Sequence, residues 1–140
     1  MSLDTIINIP DHLKQSILAV LADPEMKLIL DVTTYTIKSV NDIVIETRIS
    51  RTSAYRKINW MYEQGLLGIM HVEITDDGKK MKFFQSTLKS IKVNYENTQI
   101  TVDAEQNIDV MRRVAQKFFS SDNTDYPKTI SSMKSVKWYQ

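Results

Sequence analysis

The sequence predicts an α+β fold, mainly α, in which short helices lead into two β-hairpins and one further helix. Three observations predict it. Apolar residues recur at helical spacing through the first half of the chain, with capping residues and a glycine at the segment ends. From Leu67 the period changes to alternation around turn-forming residues. From Ala104 the helical period returns.

Asp11 opens a helix after Pro10, and Leu13, Ile17, Leu18 and Leu21 form its apolar stripe. Asp23-Pro24-Glu25 starts a second one: a capping aspartate, a proline at the first helical position and an early negative charge. Met26, Ile29, Leu30 and Thr33 give that helix an inward face, and it ends near Tyr35. Ser39 can accept from the unpaired N–H groups of a third helix beginning at Val40. Ser50 can do the same for a fourth beginning at Arg51. Gly65 stops the fourth, because glycine takes a left-handed backbone without steric penalty.

Gly68 to Thr75 then reads as a strand, Asp76-Asp77-Gly78-Lys79 as a hairpin turn and Lys80 to Ser86 as the returning strand. Ile91–Tyr95 and Gln99–Asp103 alternate in the same way around Glu96-Asn97-Thr98. In the last helix Ile108, Met111, Ala115 and Phe118 share one stripe, with Val114 beside it. Ser120 to Gln140 is polar and reads as a tail. The expected organisation is a DNA-binding unit over residues 1–86, a hairpin-and-helix extension over 87–120 and the tail over 121–140.

Composition narrows the classes of function. At 140 residues and 42% hydrophobic, the chain can bury a core. It has no cysteine, which excludes disulfides, a thiol nucleophile and thiolate metal ligation. No apolar run approaches the roughly 20 residues of a membrane span, and residues 1–9 lack the pattern of a signal peptide. A soluble, cytoplasmic protein is expected. His12 and His71 have no ligand spacing, and Asp76 and Asp77 are turn formers. No phosphate-cradling glycine loop and no nucleophile–base pattern is present, so neither an enzyme nor a cofactor is expected.

The net charge of +1 conceals an asymmetry. Residues 1–47 carry three Lys/Arg against seven Asp/Glu, whereas residues 48–92 carry nine against four. Positive charge therefore gathers on the fourth helix and the hairpin behind it, as a phosphate-facing surface requires. Between Arg48 and Lys57 stand four basic side chains and no acidic one. Two capped helices joined by a short turn, followed by a hairpin, read as a winged helix-turn-helix. A basic, hydroxyl-rich helix start has the dimensions and chemistry to enter a DNA major groove.

Ala54, Ile58 and Met61 fall at core spacing on that helix, which turns Arg51, Thr52, Tyr55, Arg56 and Asn59 outward. The candidate DNA contacts are these five with Ser39, Ser50, Ser53 and Lys57, and with Lys79, Lys80 and Lys82 of the hairpin. Double-stranded DNA is the expected partner. The plainer reading of the helix is a solvated face, and of the lysines, protection of a hairpin edge.

The run from Leu21 to Phe84 resembles archaeal and bacterial winged-helix transcriptional regulators of the ArsR-like type. The likeness lies in the aspartate-initiated Asp23-Pro-Glu-Met-Lys-Leu-Ile-Leu30, in the segment Ile49-Ser-Arg-Thr-Ser-Ala-Tyr-Arg-Lys-Ile58, and in the closing Gly65-Leu66 pair. The later hairpin and terminal helix are similar to those of archaeal members. Two departures stand out. Arg48 occupies the inter-helix turn where the family often has glycine, and Asp42-Ile-Val-Ile-Glu46 replaces the paired cysteines of metal sensors. The resemblance implies sequence-specific DNA binding and operator occupancy, but not metal sensing.

A homodimer is expected through Ile108, Met111, Ala115 and Phe118 of the last helix, because a chain that already has a core leaves that stripe unpaired. The alternative function is a winged helix that binds protein within transcription machinery.

Overall fold

The structure, a computed structural model, describes residues 6–118. Roughly half of these residues are helical, in an α+β arrangement. In chain order the elements are β1 (Ile6–Asn8), α1 (Asp11–Ala22), α2 (Pro24–Thr33), β2 (Lys38–Ser39), α3 (Val40–Thr47), α4 (Arg51–Glu63), β3 (Leu67–Ile74), β4 (Lys80–Ser86), β5 (Leu88–Glu96), β6 (Gln99–Gln106) and α5 (Ile108–Phe118). The tail expected at 121–140 lies outside the described residues.

Local chemistry sets the helix boundaries. The Asp23 carboxylate accepts from the N–H groups of Glu25 and Met26, and Pro24 occupies the first helical position. Ser39 and Asp42 form a reciprocal capping box: the hydroxyl accepts from Asp42 N–H at 3.1 Å and the carboxylate from Ser39 N–H at 3.0 Å. Ser50 accepts from Ser53 N–H at the start of α4. At its end, Leu66 N–H bonds Met61 C=O and Gly65 N–H bonds Tyr62 C=O, with Gly65 at φ 85°. This Schellman arrangement satisfies carbonyls that the helix leaves unpaired.

The sheets are antiparallel, in the order β2-β4-β3 and β1-β6-β5. Two of their strands are absent from the sequence reading. β2 has only two residues, too short for any alternation to register, and pairs Lys38 with Phe84 and Ser39 with Phe83. β1 pairs Ile6–Asn8 with Asp103–Glu105 near the other end of the chain. One apolar cluster runs from Ile9 and Leu13 through Ile17, Ile29, Ile43, Ile58 and Met61 to Leu88, Val102 and Ala104. The extension therefore shares its core with the preceding helices, and the boundary expected after residue 86 passes through a common interior.

Strand β3 is buried on both faces at its base. Leu67 and Ile69 enter the main cluster, whereas Met70 packs with Val110 and Val114 of α5. Between them, Gly68 gives α5 its seat: a Cβ there would lie 2.7 Å from Val114 Cγ2 and 3.4 Å from Val110 Cγ1. A bulge between Ile69 and His71 follows, where the pairing with β4 shifts. Among the described residues, no helix is long and apolar enough to cross a membrane.

Candidate nucleic-acid interface

The site is built on α4 and on what holds it. Ala54, Ile58 and Met61 are completely buried, and Tyr62 meets Phe84 edge to face with ring centroids 6.0 Å apart. With that face fixed inward, the 100° step of a helix turns Arg51, Thr52, Tyr55, Arg56 and Asn59 to solvent, and all five are exposed. Tyr55 is 49% exposed, a large ring held in water on the same ridge as two arginines. The ridge has no acidic side chain from Arg51 to Tyr62.

The turn between the helices is held by Arg48, which is left-handed at φ 62° and ψ 17°, its N–H bonded to Val44 C=O at 2.9 Å. Its side chain is exposed, beside the start of α4 in sequence. Arg51 Nη2 donates to Asn41 Oδ1 at 2.7 Å, linking the N-terminal turns of α3 and α4. The guanidinium retains further N–H donors for an outside acceptor, since it has five.

Three expected contacts have other employment. Ser39 is 3% exposed and its hydroxyl is committed to the capping box, so it offers nothing to a ligand surface. Lys57 Nζ lies 2.9 Å from Asp23 Oδ2 and 2.9 Å from Glu25 Oε1, and its side chain retains 12% of its exposure. Ser53 Oγ donates to the same Glu25 oxygen at 2.8 Å. All three are corrections. The placement of Ser39 follows from its role as the cap of α3, whereas Ser53 and Lys57 share another cause. The fourth helix has a side that rests on the start of α2, and Ser53 and Lys57, one turn apart, lie on that side.

This contact fixes α4 to the body. The hydrogen bond from Lys57 is the main reason the Asp23 carboxyl sits below its ordinary range, helped by Met26 N–H. Lys57 also lowers Glu25 most, followed by the Ser53 hydroxyl. In return Asp23 first, then Glu25, raise the lysine. Asp23 thus both caps α2 and binds a cation on α4. The sequence signal that could have found this was the Asp23-Pro24-Glu25 cluster itself, but its cation is 34 residues away.

The hairpin formed by β3 and β4 carries the other expected cations. Its turn closes through Thr75 N–H to Lys79 C=O and Gly78 N–H to Thr75 C=O, with Gly78 at φ 82°. Lys79 and Lys80 are exposed, and Lys82 is half-buried. Lys80 and Lys82 are two apart on β4 and so share a face, paired with Ile74 and Val72 of β3. Lys79 Nζ is 4.0 Å from Asp77, whose carboxyl is lowered mainly by the Thr75 hydroxyl.

The stripe expected on α5 is arranged differently. The helix buries Val110 and Val114, because the notch at Gly68 admits Val114. Met111 is half-buried against the main core, Ile108 is half-buried and Ala115 is exposed. The Phe118 side chain lies outside the described ones. Among the described residues, no three His, Cys, Asp or Glu side chains gather where they could hold a metal ion. No protein-family model matches the chain, and no curated protein matches it.

Proposed function

We propose that this chain is a winged helix-turn-helix protein of the ArsR-like type that binds double-stranded DNA and regulates transcription from the cytoplasm by occupying an operator as a homodimer. One observation carries the reading. The exposed ridge Arg51, Thr52, Tyr55, Arg56 and Asn59 stands on a helix whose opposite face is fully buried and whose flank is ion-paired to the body. A rigid helix with a basic, amide- and hydroxyl-bearing outer face suits a major groove, where arginine reads guanine and asparagine reads adenine. α4 is the recognition helix, and α3 stands before it across the Arg48 turn. The β3–β4 hairpin is the wing, and Lys79, Lys80 and Lys82 serve phosphates there.

The experiment is a salt series of DNA titrations on variants of the ridge and the wing. Arg56→Ala should weaken binding to the preferred duplex by about 1–3 kcal/mol if the side chain reads a base. Neutralising the three wing lysines should weaken preferred and random duplexes alike and flatten the salt dependence. Wild-type protein that shows no salt-dependent duplex binding would sink the reading and favour a winged helix devoted to protein contact.

A further inference from the structure

The β5–β6 hairpin carries three exposed large apolar side chains, Val93, Tyr95 and Ile100, against one, Ile74, on the β3–β4 hairpin. Its base is part of the core, with Val102 at 1% and Ala104 at 3% exposure. Toward the turn it runs clear of the body: Val93 is 43% exposed, Tyr95 71% and Ile100 52%. Every residue from Lys92 to Thr101 is exposed. Val93 stands opposite Val102 and Tyr95 opposite Ile100, so all four side chains lie on one face of the arm. A two-stranded ribbon without a further layer is at best marginally stable in water.

The same arm has an open edge. β6 lies between β1 and β5, which leaves β5 on the outside of its sheet. Asn97 and Thr98, at φ 54° and 61°, make a two-residue turn of the kind that joins twisted strands, flanked by the pair Glu96 and Gln99. In such a hairpin the flanking pair is hydrogen-bonded and the pattern alternates along the ladder. The N–H and C=O groups of Ile91, Val93 and Tyr95 therefore point away from β6, along the outer edge.

We infer that this edge pairs with the β5 edge of a second copy of the chain, antiparallel about a two-fold axis through Asn94. Of the antiparallel registers that join these outward groups, this one alone also sets Lys92 opposite a carboxylate. It sets Val93 opposite the partner's Tyr95 as a hydrogen-bonded pair, and Asn94 opposite its own mate. On the polar face it sets Lys92 opposite the partner's Glu96, twice by symmetry. Across the joined sheet, Lys92 is then flanked by its own Asp103 and by the partner's Glu96, while Val102, Val93, the partner's Tyr95 and the partner's Ile100 form one apolar row. A slide of two residues would centre the axis on Val93 and set Lys92 opposite the partner's Asn94, with no charge matched, and a slide of four would centre it on Lys92 and oppose like charges. Lysines on exposed edges normally discourage pairing. Here the sequence supplies the matching carboxylate four residues on.

The pairing does not rest on the DNA-binding reading, and its test leaves DNA aside. Sedimentation equilibrium of the full chain should show a monomer–dimer equilibrium. Glu96→Lys should weaken it on the order of tenfold or more, because two facing pairs change from attractive to repulsive. The variant Lys92→Glu, Glu96→Lys and Asp103→Lys, which exchanges the charges and keeps position 92 matched to its own cross-strand neighbour, should restore it, an outcome no loss of folding could mimic. Val93→Pro should give a folded monomer with unchanged circular dichroism, since the lost N–H faces outward and serves only the partner. A wild-type monomer at millimolar concentration would overturn the inference, as would a charge swap that fails to restore the dimer. A dimer that ignores both β5 changes but falls apart in Met111→Glu would place the contact on α5 and overturn it equally.

Discussion

Replacing Gly68 by alanine tests how α5 is held against β3. An added Cβ would sit 2.7 Å from Val114 Cγ2, a separation that real side chains do not adopt, and 3.4 Å from Val110 Cγ1. Both valines are almost wholly buried, at 3% and 1%, so neither has space to retreat without moving the helix. Overpacking of this kind costs about 1–3 kcal/mol. Alanine also restricts the unfolded chain, which returns about 0.4–1 kcal/mol. A net loss of about 1–2 kcal/mol is expected, read by urea denaturation followed by circular dichroism. Val114→Ala alone should also destabilise, by about 1–3 kcal/mol, through lost burial and a residual cavity. The two changes are complementary, because Val114→Ala deletes the methyl that Gly68→Ala would strike. The double variant should therefore be more stable than the sum of the singles predicts, by about 1 kcal/mol. A Gly68→Ala protein as stable as wild type, or a cycle additive within about 0.5 kcal/mol, would show that α5 is not seated on this glycine.

Three other outcomes follow from single features. Arg48 holds a left-handed backbone at φ 62°, so Arg48→Gly should raise the urea midpoint by the equivalent of about 0.5–1 kcal/mol, with an unchanged slope; a lower midpoint would mean that the arginine side chain contributes more than its backbone costs. Lys57→Met should lower stability yet leave the salt slope of DNA binding unchanged, because the ammonium is engaged with Asp23 and Glu25; a slope reduced by about 0.9 would mark it as a phosphate contact. The same pair sets a pH dependence. Asp23 and Glu25 have folded-state pKa values below their ordinary ones, so their contribution is complete above the usual carboxylate range and is lost as pH falls through the lowered values. The stability difference between wild type and Lys57→Met should accordingly persist at neutral pH and shrink below about pH 4. A difference that grows on acidification would contradict the sign.

What the chain determined by itself is whatever depends on residues a few positions apart. The α3 and α4 starts are set by Ser39 and Ser50, whose hydroxyls reach N–H groups three residues on, and the α4 end by Gly65. The two hairpin turns were legible for the same reason: Asp77-Gly78 and Asn97-Thr98 take positive or turn geometry locally. The inward face of α4 was legible too, because Ala54, Ile58 and Met61 repeat at the helical period. The tertiary structure alone decided the pairings between distant segments. Nothing in Ile6–Asn8 announces Asp103–Glu105 as its partner, and a two-residue strand such as Lys38–Ser39 has no period to read. It decided which flank of α4 rests on α2, and so engaged Ser53 and Lys57 with Glu25 and Asp23 while leaving Arg51, Thr52, Tyr55, Arg56 and Asn59 exposed; Ser39 is buried separately, as the cap of α3. It also decided the face of α5. Val110 and Val114 compete with Met111 and Ala115 at similar spacing, and the choice is made on another element, where Gly68 has no side chain and Val114 fits. A one-dimensional pattern records the period of a helix but not the shape of the surface that receives it.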